Sequence, residues 1–234
     1  MVRSGGGNRG CKHVNWLMYY GQPAAGPTLG YGLLYNWYAA TDVRDIAPDG
    51  WRVPTEADID AFILEVGATN PTAVKGERVV PEDHPRWDSG AGTNSTGLSL
   101  YPAGSRSDVN GTYGNFGVSA NFWTSTNVDA SNAVAFGVNA FSSNLSKFGF
   151  IAKKSGYAIR CVRDTEPPDA TVTDIDGNIY NWVQIGSQYW LTNNLKTTKY
   201  NNGDSIATGL DDAAWAATTD GAWAYPNGDQ NLPI

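Results

Sequence analysis

The sequence predicts an α+β protein in which one clear helix is combined with a small, mostly antiparallel sheet and long loops. A helical pattern follows Pro54, where apolar residues recur every three to four positions. From about Thr93 onward, short apolar and aromatic runs are separated by Gly, Asn, Ser and Asp, which is typical of short strands and loops. Residues 179–191 have the pattern of a β-hairpin. We therefore expect one or two helices and several short strands.

The predicted helix spans residues 55–66. Thr55 is suited to cap its N-terminus, and Asp58, three residues later, completes a capping box. Gly67 follows the last apolar position and is suited to end the helix. The apolar residues that share one face are Ile59, Phe62, Ile63 and Val66. This apolar face predicts that the helix packs against the sheet.

The C-terminal part predicts a hairpin and a second, shorter helix. A strand is expected near residues 179–185, followed by a tight turn at Gly186-Ser187 and a return strand over residues 189–191. Residues 211–217 are expected to form the short helix. The acidic, proline-containing residues 165–172 precede the hairpin and predict a linker.

Residues 1–30 predict an N-terminal arm, because a glycine-rich start is followed by a short apolar segment at residues 14–20. The arm lacks the apolar stretch of a secretory signal, so none is expected there. We expect residues 14–20 to form a contact in a homo-oligomer. The alternative is that they cover the core of their own domain.

Composition and charge exclude several classes of protein. The chain has 234 residues, of which 41% are hydrophobic and 17% charged, which is too apolar for a disordered chain. Because no apolar run approaches the length of a membrane helix, no membrane insertion is expected. The net charge is −7 and the basic residues do not cluster, which argues against nucleic acid as a partner.

The sequence also lacks the residue sets that catalysis or metal binding requires. It contains two histidines, His13 and His84, so neither a Ser/His/Asp arrangement nor a histidine metal site is supported. We therefore expect no enzyme activity, no cofactor and no metal. Asp174-x-Asp176-Gly177-Asn178 resembles the start of a calcium loop, but no bidentate glutamate follows it. A turn leading into a strand is the favoured interpretation.

Several segments resemble blocks of the Fibrobacter major paralogous domain family, which is related to C-type-lectin-like folds. The segments that carry the resemblance are YGLLYNWYAA, APDGWRVPTEADIDAF, NSTGLSLYPAGSR, NFWTST, GYAIRCVRD and DIDGNIYNWVQIGSQYWLTNNLKTTKYNNGDSI. They cover roughly residues 31–164 and 173–234. The resemblance implies an α+β, C-type-lectin-like domain.

The order of these blocks differs from the order in the family. There the DGNxY hairpin comes first and RCVRD last, whereas here the hairpin follows RCVRD across the linker at residues 165–172. The resemblance therefore implies one circularly permuted domain over residues 31–234, in which the hairpin pairs near the strand at residues 156–163. The alternative is a fragment of a tandem array, in which residues 173–234 complete a neighbouring copy.

The cysteines depart from the family as well. Family members commonly carry a cysteine near the Gly-Trp of the GWRVP block with a partner in RCVRD, but the matching stretch here is Ala47-Pro48-Asp49-Gly50. Cys11 is the only other thiol, so a free, buried Cys161 is expected. GWRVPTEAD also resembles the formylglycine-generating enzyme group. A lone Cys161 does not meet the need of that chemistry for reactive cysteine.

The segment between NFWTST and GYAIRCVRD is the candidate for recognition. In proteins of related fold that are diversified by retroelements, this position carries the variable ligand-binding surface. Adenine-directed diversification excludes Lys, Glu, Gln, Trp and Met, and Lys147 is the one residue of these types within residues 124–152. Its four phenylalanines cannot all face inward on alternating strands. An ordinary Gly/Ser/Asn-rich hairpin is the simpler alternative.

The resemblance thus implies a ligand-binding or receptor-recognition module, diversified by a retroelement and displayed on a phage virion or an extracellular surface. Its partner is expected to be a host-surface protein or glycan. The candidate contact residues are Asn127, Asp129, Asn132, Phe136, Asn139, Phe141, Asn144, Phe148 and Phe150. The expected framework residues are Gly50, Trp51, Pro54, Trp123, Gly156 and Arg160. The alternative function is a structural surface or virion decoration protein without a variable site.

Overall fold

The computed structural model describes residues 30–77, 86–89 and 92–234. The predicted arm contact at residues 14–20 lies outside the described residues, as do Cys11, His13 and His84. The helices are α1 (Trp37–Ala40), α2 (Glu56–Val66) and α3 (Asp212–Ala217), with 3-10 turns at Pro71–Ala73 and Pro226–Gly228. The strands are β1 (Leu34–Tyr35), β2 (Ser105–Arg106), β3 (Tyr113–Gly114), β4 (Ser119–Asn127), β5 (Asn132–Asn139), β6 (Leu145–Ala152), β7 (Val162–Arg163), β8 (Val172–Thr173), β9 (Ile179–Tyr180), β10 (Trp182–Ile185), β11 (Gln188–Leu191) and β12 (Trp223–Ala224).

In the described part of the chain the strands form five small sheets, and the strand pairs within these sheets are antiparallel. Two sheets have three strands, in the orders β4-β5-β6 and β10-β11-β7. The other three are the pairs β1-β12, β2-β3 and β8-β9. Few helices and small antiparallel sheets make this an α+β protein, as the sequence predicts.

Helix α2 begins and ends as predicted. The Thr55 hydroxyl accepts a hydrogen bond from the Asp58 N–H, and the Asp58 carboxylate accepts one from the Thr55 N–H at 2.6 Å, so the capping box is complete. On the apolar face, Phe62 is 1% exposed, with its ring centroid 5.2 Å from that of Trp190 and 6.2 Å from that of Phe136. The predicted packing of the helix against the sheet is therefore confirmed.

The C-terminal hairpin also forms, with one difference from the prediction. β10 and β11 pair across the Gly186-Ser187 turn, and β11 continues the sheet onto β7, where Tyr189 pairs with Arg163. The predicted pairing of the hairpin near residues 156–163 is confirmed. The single strand expected near residues 179–185 is instead two strands in two sheets, because β9 pairs with β8. β8 also begins within the predicted linker, and α3 forms where a second helix is expected.

Residues after the linker share a core with residues before it. The largest cluster of buried apolar side chains combines Leu33, Trp123 and Cys161 with Leu191 and Trp223. The C-terminal segment therefore shares the largest core cluster with residues that precede the linker.

The expected framework residues occupy sterically demanding positions. Trp123 is fully buried, and its indole Nε1 donates to the Tyr35 carbonyl at 2.8 Å. Gly50 has a φ of +75°, which favours glycine. A Cβ on Gly156 would lie 2.8 Å from the Arg106 Cβ, so the close approach there requires glycine. Trp51, Pro54 and Arg160 are buried as well.

Candidate recognition surface

The predicted variable segment forms most of the β4-β5-β6 meander. Strand β5 lies in the centre, and its residues 133–138 are buried on both faces. Ala133 and Ala135 belong to one core cluster, whereas Phe136 and Val138 belong to the other, which α2 covers. Strand β6 is the edge, with no strand on its outer side among the described residues. Exposed side chains of this segment are therefore found at the end of β4, on β6 and in the two turns.

Phe136 is a correction to the predicted contact set. It is 2% exposed, and its ring stacks on Phe122 with centroids 5.0 Å apart. A side chain on a central strand that is covered by a helix cannot reach a ligand without unfolding the sheet. Phe136 is therefore a core residue, not a contact residue.

Phe141 and Phe150 are the two aromatic side chains of the segment that face solvent, each 74% exposed. Phe141 lies in the turn between β5 and β6. Phe150 lies in a β-bulge, since Ala133 pairs with Ile151 but Ala135 pairs with Phe148. The extra residue breaks the alternation, so Phe148 and Ile151 pack on the core while Phe150 does not. Phe148 is accordingly half-buried rather than free.

Several predicted contact residues instead stabilise the turns. The Asp129 carboxylate accepts hydrogen bonds from the N–H groups of Ser131 and Asn132, both at 2.7 Å. The Asn132 side chain donates to the same carboxylate. These hydrogen bonds lower the pKa of Asp129, and the bond from the Asn132 side chain has the largest effect. In the other turn, the Asn139 amide donates to Ser119 Oγ at 2.9 Å and accepts from the Phe141 N–H at 2.9 Å. These hydrogen bonds hold the two turns, whereas the role of Asp129, Asn132 and Asn139 as ligand contacts stays a prediction.

Asn127 and Asn144 are the predicted amides that remain available. Both are exposed, and neither side chain forms a hydrogen bond with the described residues. Asn144 follows Phe141 in the β5–β6 turn, and Asn127 ends β4. Phe141 and Asn144 in this turn and Lys147 and Phe150 on β6 are all exposed, and we call this set of residues the β6 edge face.

Lys147 lies in the middle of the β6 edge face, and its role could not be predicted from local sequence. Its Nζ contacts Asp60 Oδ1 at 2.6 Å and Glu56 Oε1 at 2.8 Å on α2. Hydrogen bonds to these carboxylates raise the pKa of Lys147, and the bond to Asp60 has the larger effect. The two ion pairs connect β6 to α2 and place charged groups in the middle of the β6 edge face.

The Asp174–Asn178 segment forms a turn. Asp174 Oδ1 accepts hydrogen bonds from the Asp176 and Asn178 N–H groups, and its Oδ2 accepts one from the Tyr180 hydroxyl at 2.6 Å. Burial is the main cause that raises the pKa of Tyr180, and the negative charge of Asp174 raises it further. The Asp176 carboxylate is held by Thr198 and Lys199. The segment is therefore the favoured turn into β9, since its carboxylates already accept protein hydrogen bonds.

Cys161 is free and fully buried. Burial raises the pKa of its thiol well above the ordinary value, and the Asp45 and Asp174 charges act in the same direction. A buried, protonated thiol is a poor nucleophile and metal ligand. Within residues 30–77, 86–89 and 92–234, no group of three or more His, Cys, Asp or Glu side chains could hold a metal ion.

The fold and the β6 edge face define an α+β protein with small antiparallel sheets and an exposed aromatic edge. The family model described as the Fibrobacter succinogenes major domain matches residues 11–163, more than half of the chain. The chain belongs to this family, which confirms the resemblance to it, and the block at residues 174–206 lies outside the matched range. No curated protein and no solved structure matches it significantly. In the described part of the chain, no helix is long and apolar enough to cross a membrane.

Proposed function

We propose that this protein is a ligand-recognition module that binds a host-surface protein or glycan through the β6 edge face. The observation that carries the proposal is the 74% exposure of both Phe141 and Phe150. Burying a phenylalanine side chain against a partner yields about 1.5–3 kcal/mol, so two of them supply most of the energy of a small interface. The proposed setting is a phage virion or another extracellular surface.

The rigidity of the β6 edge face supports this proposal. Strand β6 is paired to the buried β5 along its length, and Lys147 is tied to α2 by two ion pairs. The turn that carries Phe141 is held by the Asn139 side chain. Side chains on a scaffold that is already ordered lose little conformational entropy on binding, which favours affinity.

The proposed binding uses side chains rather than addition of a strand. Strand β6 carries the charged Lys147 and a bulge at Phe150, and both features disfavour pairing of this edge with a strand from another chain. Phe141 lies in the turn before β6 and Phe150 lies near the end of β6, so the two phenylalanines can engage separate pockets. Retroelement diversification of residues 127–152 would then change side chains at the exposed positions, of which Asn127 and Asn144 are the available amides.

Replacing Phe141 and Phe150 together by serine should weaken attachment to host cells at least about tenfold, because two desolvated aromatic contacts are lost. The measurement is flow cytometry of the labelled protein on intact cells of the host strain. Val109→Ser is the matched control, since Val109 is 82% exposed in a different loop. Unchanged attachment of the double variant would refute the site.

The alternative, a structural decoration protein, predicts a different outcome from the same variants. If the two phenylalanines are buried at a subunit contact, the double variant lowers the mass measured by light scattering. Diversification is tested separately by sequencing the gene and its neighbouring DNA in related isolates. A near-repeat of the segment beside a reverse transcriptase, with changes confined to adenine positions, is expected. Changes spread evenly over the gene would contradict diversification.

We also infer that residues 31–234 form one circularly permuted, C-type-lectin-like domain with a linker at residues 165–172. The pairing of β11 with β7 supports this, because it joins the segments on either side of the linker in one sheet. The shared core supports it as well, since Tyr180, Leu191 and Trp223 pack with residues that precede the linker.

A chain that ends at Asp164 should therefore fail to unfold cooperatively, because it loses two of the three strands of the β10-β11-β7 sheet and part of the core. Thermal unfolding followed by tryptophan fluorescence measures this, with the full chain as the control. A truncated chain that unfolds in one sharp transition would instead favour the tandem-array alternative.

A further inference from the structure

A groove of about 530 Å³ lined by both polar and apolar side chains lies outside the β6 edge face and was not indicated by any local sequence pattern. Three segments that are distant in sequence form it, at residues 38–44, 200–207 and 219–221. Its volume is within the range of small-molecule sites. The lining side chains that bear on its chemistry are Tyr38, Asp42, Arg44, Ser205, Thr219 and Asp220.

Arg44 is held rigidly at the wall of this groove. Its Nε and one terminal nitrogen donate to the two oxygens of Asp42, both at 2.8 Å, and the other terminal nitrogen donates to Asp204 at 3.1 Å. The guanidinium also lies 4.0 Å from the ring centroid of Tyr200, which is 1% exposed. A guanidinium has five N–H donors, so two remain for a ligand. The hydrogen bonds from the Arg44 side chain lower the pKa of Asp42, which keeps that carboxylate ionised.

The groove also presents polar groups that are not used by the protein. The side chains of Tyr38, Ser205, Thr219 and Asp220 form no hydrogen bonds with the part of the chain that the structure describes. The Tyr38 ring is half-buried and packs edge-on against Trp37, with centroids 6.5 Å apart. Trp37 is itself fixed by a hydrogen bond from its indole Nε1 to the Thr124 carbonyl at 2.9 Å. The contact with Trp37 therefore helps to fix the position of the Tyr38 ring in the groove.

We propose that this groove binds a neutral saccharide. A pyranose offers adjacent hydroxyls that both donate and accept, which matches a carboxylate, a guanidinium and two hydroxyls around one cavity. Its C–H faces can pack on the Tyr38 ring and on Val43, which is fully exposed at the rim. The guanidinium of Arg44 is paired with the carboxylates of Asp42 and Asp204, and Asp220 adds a third carboxylate to the lining of the groove. The excess negative charge disfavours uronic, sialic and sulfated sugars.

Saturation-transfer NMR tests the proposal on the full chain. The probes are the methyl glycosides of glucose, galactose, mannose, rhamnose and N-acetylglucosamine, with glucuronic acid as the charged comparison. We expect transfer to at least one neutral glycoside and a weaker signal for glucuronic acid. Tyr38→Ala and Asp220→Asn should each weaken binding of that glycoside by about five- to tenfold, the effect of one lost contact.

Two control variants show whether sugar binding depends on this groove alone. Asp169→Asn removes an exposed carboxylate from the linker and should leave sugar binding unchanged. The Phe141→Ser, Phe150→Ser double variant should also bind the sugar normally. The test of the groove is therefore independent of whether the β6 edge face binds a host-surface partner. Circular dichroism shows that each variant is folded. The proposal is overturned if no neutral glycoside binds, if glucuronic acid binds best, or if the folded Tyr38→Ala and Asp220→Asn variants bind like the parent.

Discussion

Replacing Arg160 by leucine should lower the free energy of unfolding by about 3–5 kcal/mol, because it removes a buried charge together with all of its hydrogen bonds. Arg160 is 1% exposed. Its terminal nitrogens donate to the carbonyls of Leu98 and Leu191 at 3.0 and 2.9 Å, and to that of Ser99 at 3.2 Å. A further bond goes to the side chain of Asn194. The guanidinium therefore joins the loop before residue 100 to the end of β11 and the segment that follows it.

The cost arises from the acceptors that leucine would leave behind. Burial lowers the pKa of Arg160 to about 9, which still keeps the guanidinium charged at neutral pH. Each carbonyl that loses its donor in a buried site costs about 1–3 kcal/mol, and leucine can replace none of the hydrogen bonds. The apolar contact of leucine recovers only part of this loss.

Urea denaturation of the purified chain measures the effect. Arg163→Leu is the control, because Arg163 is half-exposed on the neighbouring strand and its Nε donates to Thr165. Should Arg160→Leu not fold, Arg160→Lys keeps the charge but can reach fewer of the carbonyls, and an intermediate loss is expected. Equal stability of the Arg160 and Arg163 variants would show that the buried network is not needed.

Replacing Asp58 by asparagine should cost about 2–4 kcal/mol, because one carboxylate organises a helix end and a tertiary contact together. It accepts hydrogen bonds from the Thr55 N–H and hydroxyl, both at 2.6 Å. Both terminal nitrogens of Arg52 donate to it, and Gln188 Nε2 on β11 donates at 3.0 Å. Asparagine presents one acceptor oxygen in place of two and carries no charge for Arg52.

The same residue should contribute to loss of stability in acid. Burial raises the pKa of Asp58, but the hydrogen bonds from Arg52 and Thr55 outweigh it and leave the pKa below its ordinary value of 3.8. The unfolded chain therefore takes up this proton at a higher pH than the folded chain does. The contribution of Asp58 is complete above the unfolded pKa and is lost as pH falls through the folded pKa.

Thermal unfolding between about pH 2 and pH 6 tests this contribution. The parent should lose stability more steeply below about pH 4 than Asp58→Asn does, since the variant lacks the titrating group. Asp169→Asn, at an exposed position, should follow the parent. Parallel curves for the parent and Asp58→Asn would mean that the hydrogen bonds do not stabilise the ionised form.

Local sequence determined the elements whose partners are close in the chain. The Thr55 and Asp58 capping box, the Gly186-Ser187 turn and the short helix α3 all form as predicted. Their hydrogen bonds join residues within a few positions of one another, so residue type and spacing are sufficient to predict them. The family blocks added the pairing of the hairpin with β7, which no local pattern specifies.

Tertiary structure alone decided which side chains of the candidate segment are available to a partner. Phe136 and Phe150 belong to the same stretch of sequence, yet one lies on a central strand under α2 and the other in a bulge at the edge. Strand order and bulges depend on contacts between distant segments, so spacing along one strand cannot predict them. The groove proposed to bind a saccharide also depends on tertiary structure, because residues 38–44 and 200–207 in its lining are more than 150 positions apart in sequence. Exposure is a property of the assembled sheets, whereas a cap or a turn is a property of a few neighbouring residues.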